Sequence, residues 1–290
     1  MSFLELAFMQ RALIAALIVG LTAPAVGTYL VQRRLALMGD GMGHVALTGV
    51  ALGVLLNTAP VLTAVITAAL GAIAIELIRE RGKAGGDVAL AMLFYGGIAG
   101  GVLLIGLSDE AGGVNLMSYL FGSLTSVSAG DVWVIVALAG CVLAVTLGLR
   151  RQLFAVCQDE EFARVAGLPV RWLNLLLAVT AAVTVTVAMR VVGLLLVSAL
   201  MVVPVATAQQ FTRGFRATLA LALLVGVGVS VSGVMFSYYA DVASGASIVV
   251  LAIGVFVLAT AAGWLRERLT GRGEPAPAGQ AEDDVTLAGL

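Results

Sequence analysis

The sequence predicts an all-α fold: a polytopic membrane helical bundle of about nine transmembrane helices, N-terminus outside and C-terminus cytoplasmic. Composition is the first observation behind this. Of 290 residues, 61% are hydrophobic and 11% charged, with a mean hydropathy of +1.08, whereas soluble domains carry about 25% charged residues. The second is spacing. Apolar stretches near the roughly 20 residues a crossing helix needs fall at 9–31, 39–57, 60–79, 88–107, 130–149, 172–189, 192–211, 217–238 and 246–265. The third is charge asymmetry, since cytoplasmic loops collect Lys and Arg. With nine spans, fourteen of the sixteen basic residues (Arg33, Arg34, Arg79, Arg81, Lys83, Arg150, Arg151, Arg164, Arg171, Arg213, Arg216, Arg266, Arg268, Arg272) share one side. Only Arg11 and Arg190 fall on the other, and eight or ten spans break the pattern.

Taken in order, the first stretch contains Ala23-Pro24-Ala25, which looks like a signal-cleavage site, but apolar residues continue through Val31. That length reads as a retained helix. The second stretch is short and glycine-rich, as expected of a helix buried among others and facing a cavity. Asn57 and Pro60 close the turn after it. The outer loop 108–129 holds Asp109 and Glu110, then an apolar patch, Met117 to Leu124, too short to cross and so a short re-entrant or interfacial helix. In the inner loop 150–171, acidic residues from Asp159, then Phe162, Val165 and Ala166, then Gly167 and Pro169 describe a helix of about two turns. Arg190 is an interfacial residue whose stem snorkels. Pro204 removes a helix hydrogen bond and should kink the seventh stretch. The carbonyls it frees and Thr207 then face a pore, or the kink is structural only. The permease domain spans 1–268, and 269–290, rich in Gly, Pro, Ala, Asp and Glu, is a disordered cytoplasmic tail.

The chemistry gathers between Arg33 and Gly53. Asp40 and His44, the only histidine, stand four residues apart on this apolar background. That spacing puts both on one helix face, a turn apart. An ionisable group inside a bilayer costs about 2.5–3.5 kcal/mol on insertion scales and so marks an ion or proton pathway. Two readings stand: ligands of a translocation path, or an N-cap aspartate with a hydrogen-bonded histidine. Gly39 and Gly43, then Gly49 and Gly53, offer flat surface for a neighbouring helix. Cys141 and Cys157 form no disulfide framework or metal-thiolate spacing. A P-loop needs Gly-x-x-x-x-Gly-Lys-Ser/Thr, and the only lysine, Lys83, has Leu77 in the first glycine's place and Ala84 after it. An enzyme reading has little support, and nothing points to nucleic acid.

At these residues the chain resembles the membrane permease subunits of bacterial ABC importers for zinc, manganese or iron(II), the group typified by the high-affinity zinc-uptake permease. Three stretches carry the likeness: Arg33-Arg34 to Gly49, Asp159-Glu160-Glu161-Phe162-Ala163 to Gly167, and Val192-Gly193 through Pro204 and Ala206-Thr207-Ala208. Leu120-Phe121-Gly122 fits as well, and the likeness runs from about residue 10 to 265. It implies an inner-membrane homodimer beside two ATP-binding subunits, fed by an extracytoplasmic metal-binding protein. No cofactor is bound permanently; the metal is cargo, and the partner uses ATP. Asp159, Glu160, Glu161, Phe162, Arg164 and Gly167 would form the coupling helix that docks on the ATPase. Asp40 and His44 would line the metal path, and two copies would supply two carboxylates and two imidazoles, suited to Zn²⁺ or Mn²⁺. A single histidine leaves manganese and iron as admissible as zinc. Two alternatives remain: an ion-coupled secondary transporter, in which Asp40 and His44 relay protons, and an ABC permease for a metal chelate.

Overall fold

The computed structural model describes residues 7–80, 86–107, 116–122, 129–189 and 192–269, and every regular element among them is helical. The helices are α1 (Ala7–Gln32), α2 (Met38–Leu55), α3 (Pro60–Glu80), α4 (Gly86–Gly106), α5 (Leu116–Phe121), α6 (Ala129–Gly148), α7 (Arg150–Gln158), α8 (Glu160–Val165), α9 (Val170–Met189), α10 (Leu194–Phe211), α11 (Phe215–Ala240) and α12 (Ser244–Leu269). Each of the nine apolar stretches is a helix. Among the described residues, seven helices are long and apolar enough to cross a membrane, or eight if α6 with α7, bent by 65° at their junction, is counted as one span. The apolar part of α10, Leu196–Phe211, is shorter. Asp109, Glu110, Lys83, Arg190 and the tail after Leu269 lie outside the described residues.

The inner loop differs from the expectation. The sequence pattern predicts one short helix in 150–171, and the structure has two. α7 precedes α8 and buries Leu153 and Val156 while leaving Arg150 and Arg151 exposed. Its one-sided apolar pattern finds cover only because the chain turns sharply after α6. The outer patch is the six-residue α5, with Ser123 and Leu124 outside the described residues.

α1, α2 and α9 are largely buried, whereas α4 and α12 present most of their surface outward. α2 packs between α3 and α4 and also meets α9 and α10, while α1 packs on α11. Threonines within these helices mostly return their hydroxyl to their own backbone; Thr28 donates to Pro24 O (2.8 Å), Thr184 to Thr180 O (2.8 Å) and Thr186 to Ala182 O (2.8 Å). In an apolar environment that satisfies the hydroxyl without a partner helix.

Short connections are set by left-handed residues. α1 ends with Arg34 at φ +59, with Arg34 N–H bonded to Val31 O and Leu35 N–H to Leu30 O, a Schellman closure. α2 ends in the same way at Asn57, φ +51, and Pro60 opens α3. Residues from distant parts of the sequence thereby meet at two ends of the bundle. Arg33, Glu160 and Asn174 meet at one, with Glu76, Arg79, Glu80 and Arg171 nearby. At the other, Gly193, the N-cap of α10 at φ +90 and ψ 151, lies against the backbone of Leu120, Phe121 and Gly122.

Gly193 therefore answers two demands. Its backbone conformation is essentially reserved for glycine, costing other residues about 1–3 kcal/mol, and a Cβ would meet the Phe121 carbonyl carbon. Gly193→Ala is expected to lower the thermal midpoint of the detergent-solubilised protein by several degrees, as about 1–3 kcal/mol does in a chain of this size. An unchanged midpoint would mean that the 120–122 segment yields to it.

Candidate functional site

Asp40 sits in the first turn of α2, but it is not the cap. Leu37 holds the N-cap position with no side-chain cap bond. The Asp40 carboxylate instead accepts a hydrogen bond from Ser198 Oγ of α10 at 3.3 Å. It borders a cavity of about 360 Å³ between α2 and α4, with Leu37, Leu90, Ala91, Phe94 and Tyr95. The capping alternative for Asp40 is thus replaced by a contact to another helix and an open face.

His44, one turn further along, is 7% exposed. Its ring meets Phe94 edge-on, with centroids 4.5 Å apart. Its Nδ1 is buried with no hydrogen-bond partner among the described residues, and leaving a buried polar group unpaired costs about 1–3 kcal/mol. The histidine of the second reading, satisfied within the helix, is not what the structure has at Nδ1. The backbone here is held closely: Gly97 of α4 lies against His44, and Thr48 Oγ1 donates to Gly97 O at 2.7 Å. The two glycine pairs of α2 turn to different neighbours. Gly39 and Gly43 face α10 through Ser198, Met201 and Leu194, whereas Gly49 and Gly53 face α3 at Thr63 and Ala64 or Pro60.

Pro204 and Thr207 lie buried further along α10, and Thr207 Oγ1 donates to Val203 O at 2.8 Å. Neither borders the cavity in front of Asp40. Among the described residues, no three His, Cys, Asp or Glu side chains gather as a metal site.

The second group is the charged helix. Asp159 caps α8 by accepting from Phe162 N–H at 2.9 Å, and Gly167 closes it at φ +82, as the sequence pattern implied. Ala163 is buried, Glu161 is exposed, and Phe162 and Val165 are 67% and 88% exposed, so an apolar edge stands in the open. Glu160 points the other way. It accepts from Arg33 Nη2 at 3.1 Å, and Asn174 Nδ2 approaches its other oxygen at 3.4 Å. Arg164 pairs with the same carboxylate at 3.5 Å from an exposed position, a contact worth about 0–1 kcal/mol. Burial first, and the nearby Arg79 charge second, push the Arg33 pKa below its usual value.

Ser198, Phe94, Asn174 and Glu76 were given no role from sequence. Two of them carried a signal: Glu76 is the only acidic residue in the 60–79 stretch, and Asn174 the only amide in 172–189. Polar groups so placed usually face the bundle interior.

Residues 5–263 match the ABC 3 transport family. The chain belongs to this family. Every site residue above lies inside the match. Among relatives, the manganese transport system membrane protein MntC of Halalkalibacterium halodurans is 34% identical, covering 88% of this chain and 87% of its own length. The high-affinity zinc uptake system membrane protein ZnuB of Haemophilus influenzae is 29% identical, covering 89% and 97%. Among solved structures, PsaBC from Streptococcus pneumoniae in complex with Fab aligns with a TM-score of 0.79 at 31% identity, covering 88% of this chain and 92% of that one. As a member of the ABC 3 transport family with many apolar helices, the chain is a multi-pass membrane protein.

Proposed function

We propose that this chain is the pore-forming permease of an ATP-driven importer for a divalent metal ion, zinc, manganese or iron(II). It works as a homodimer in a bacterial inner membrane, beside two separate ATP-binding subunits, and takes metal from an extracytoplasmic binding protein. The observation that carries this is the Asp40 carboxylate facing a cavity between α2 and α4, in a chain whose relatives are named for manganese and zinc transport. One chain offers a carboxylate and a buried imidazole. A second copy across a shared axis doubles the set, and carboxylate with imidazole suits several of these metals. A sparse site also fits transport, where binding must be weak enough to release. Pro204 gives α10, the helix bearing Ser198, a place to bend. The ion-coupled secondary transporter finds no support in an ABC family match.

The reading is tested by deleting the chain and measuring cellular manganese, zinc and iron. A fall in one of them, restored by the wild-type chain, is the expected result; unchanged content of all three under metal limitation removes the proposal.

The nine-span topology belongs to the same reading. It is supported by Arg33, Arg79, Glu160, Arg164 and Arg171, all on the expected inner side, lying together at one end of the bundle. Cysteines placed at position 2 and within 80–85 should react with impermeant reagents from opposite sides of the membrane. Labelling of both from one side would overturn it.

A further inference from the structure

α8 packs on α7 and α9, its neighbours in the chain. A side-chain network carries it beyond them. The Arg33 guanidinium, 8% exposed, donates through Nη1 to Asn174 Oδ1 at 2.8 Å and through Nη2 to Glu160 Oε2 at 3.1 Å. Asn174 Nδ2 lies 3.4 Å from Glu160 Oε1, so the three side chains close a ring across α8, α9 and the end of α1. Arg33 is also where α1 stops: Arg34 beside it is left-handed at φ +59, and α2 begins at Met38 with Asp40 in its first turn. A planar fork that grips two partners at once is specific to arginine; a lysine holds one point. Nearby, Glu76 pairs with Arg79 at 2.8 Å and Glu80 with Arg171 at 3.1 Å. Among the described residues, Arg33 is the cation that reaches Glu160 from outside α8.

We propose that Arg33 is a positioning residue that transmits movement of α8 to the first turn of α2, so that ATP-driven displacement of the docked helix changes the setting of Asp40. The proposal rests on reading α8 as the ATPase-docking helix. A pull on Glu160 acts on a buried guanidinium, and the short turn after it has little length in which to absorb the motion before α2. If Arg33 were only a staple, its loss would lower the amount of protein without altering how much metal moves per ATP.

That ratio is the test. The complex of permease and ATPase is reconstituted in vesicles with the binding protein, using Mn²⁺ as the probe, and ATP hydrolysed per Mn²⁺ taken up is measured for Arg33→Lys, Arg33→Met and Asn174→Ala. Each variant is expected to retain the ATPase and hydrolyse ATP. For Arg33→Met the ratio should rise about tenfold, within the range that side-chain networks contribute to coupling, and by less for Arg33→Lys and Asn174→Ala. Should Arg33→Met not reach the membrane, the other two decide. An unchanged ratio in both overturns the proposal, as does loss of the ATPase from Arg33→Lys, which would reduce Arg33 to a scaffold for docking. Failure of the docking reading looks different: Phe162→Asp would then keep both its ATPase and its uptake.

Discussion

Phe162→Asp is expected to abolish metal uptake while the chain still folds and inserts. The ring is 67% exposed, so the isolated permease gains little from it. The helix does not need it either, because the Asp159 cap bonds the residue's backbone N–H and Gly167 closes the other end. What the side chain offers is an apolar edge, shared with Val165, on the end of the bundle where the inner loops meet. If a separate ATPase covers that edge, a carboxylate there is buried without a partner. An unpaired charge in an interface costs about 2–5 kcal/mol, which weakens docking by roughly 30-fold or more. Co-purification of the ATPase and metal uptake, both normalised to permease in the membrane, should fall together. Glu161→Gln is the contrast: an exposed charge at the rim should change uptake by less than about fivefold, in keeping with the small worth of surface charges. Wild-type uptake and association in Phe162→Asp would remove the coupling assignment.

The two sites differ in how far the sequence could reveal them. α8 was legible because its signals are local: an acidic cap, an apolar pair and a glycine within nine residues, Asp159 to Gly167. The nine apolar stretches were legible because a bilayer imposes length and composition on each helix alone. The α7 helix was not, since Leu153 and Val156 become an inner face only once the chain has turned after α6. Nor were the pairings that define the sites. Ser198 lies 158 residues from Asp40, and Asn174 lies 141 from Arg33; such contacts depend on how helices are arranged in space. His44 is intermediate. The sequence puts it on the face of Asp40, yet the structure packs its ring edge-on against Phe94, and of the two it is Asp40 that borders the cavity.

That asymmetry sharpens what substitution at Asp40 should do. Asp40→Asn keeps shape and an oxygen to accept from Ser198, and removes only the charge; Asp40→Ala removes both. A carboxylate held for its hydrogen bond would tolerate Asn, because Asn and Asp serve about equally well where only a short polar acceptor is wanted. A carboxylate that meets the cation would not. Uptake by Asp40→Asn should therefore fall nearly as far as by Asp40→Ala. The loss should be at least the roughly 10–100-fold that removing an outer-shell partner costs a metal site. Ser198→Ala, which takes away that outer partner at 3.3 Å, should cost less than either. His44→Ala should impair uptake too; a purely structural histidine, packed on Phe94, would instead lose stability through the cavity left behind while uptake per molecule in the membrane stayed intact. The measurement is initial uptake of Mn²⁺ and Zn²⁺ by each variant, normalised to protein in the membrane. Normal uptake in both Asp40→Asn and His44→Ala would place the metal path away from α2. Failure of Asp40→Asn alone would leave the carboxylate as the contact and the imidazole as its packing.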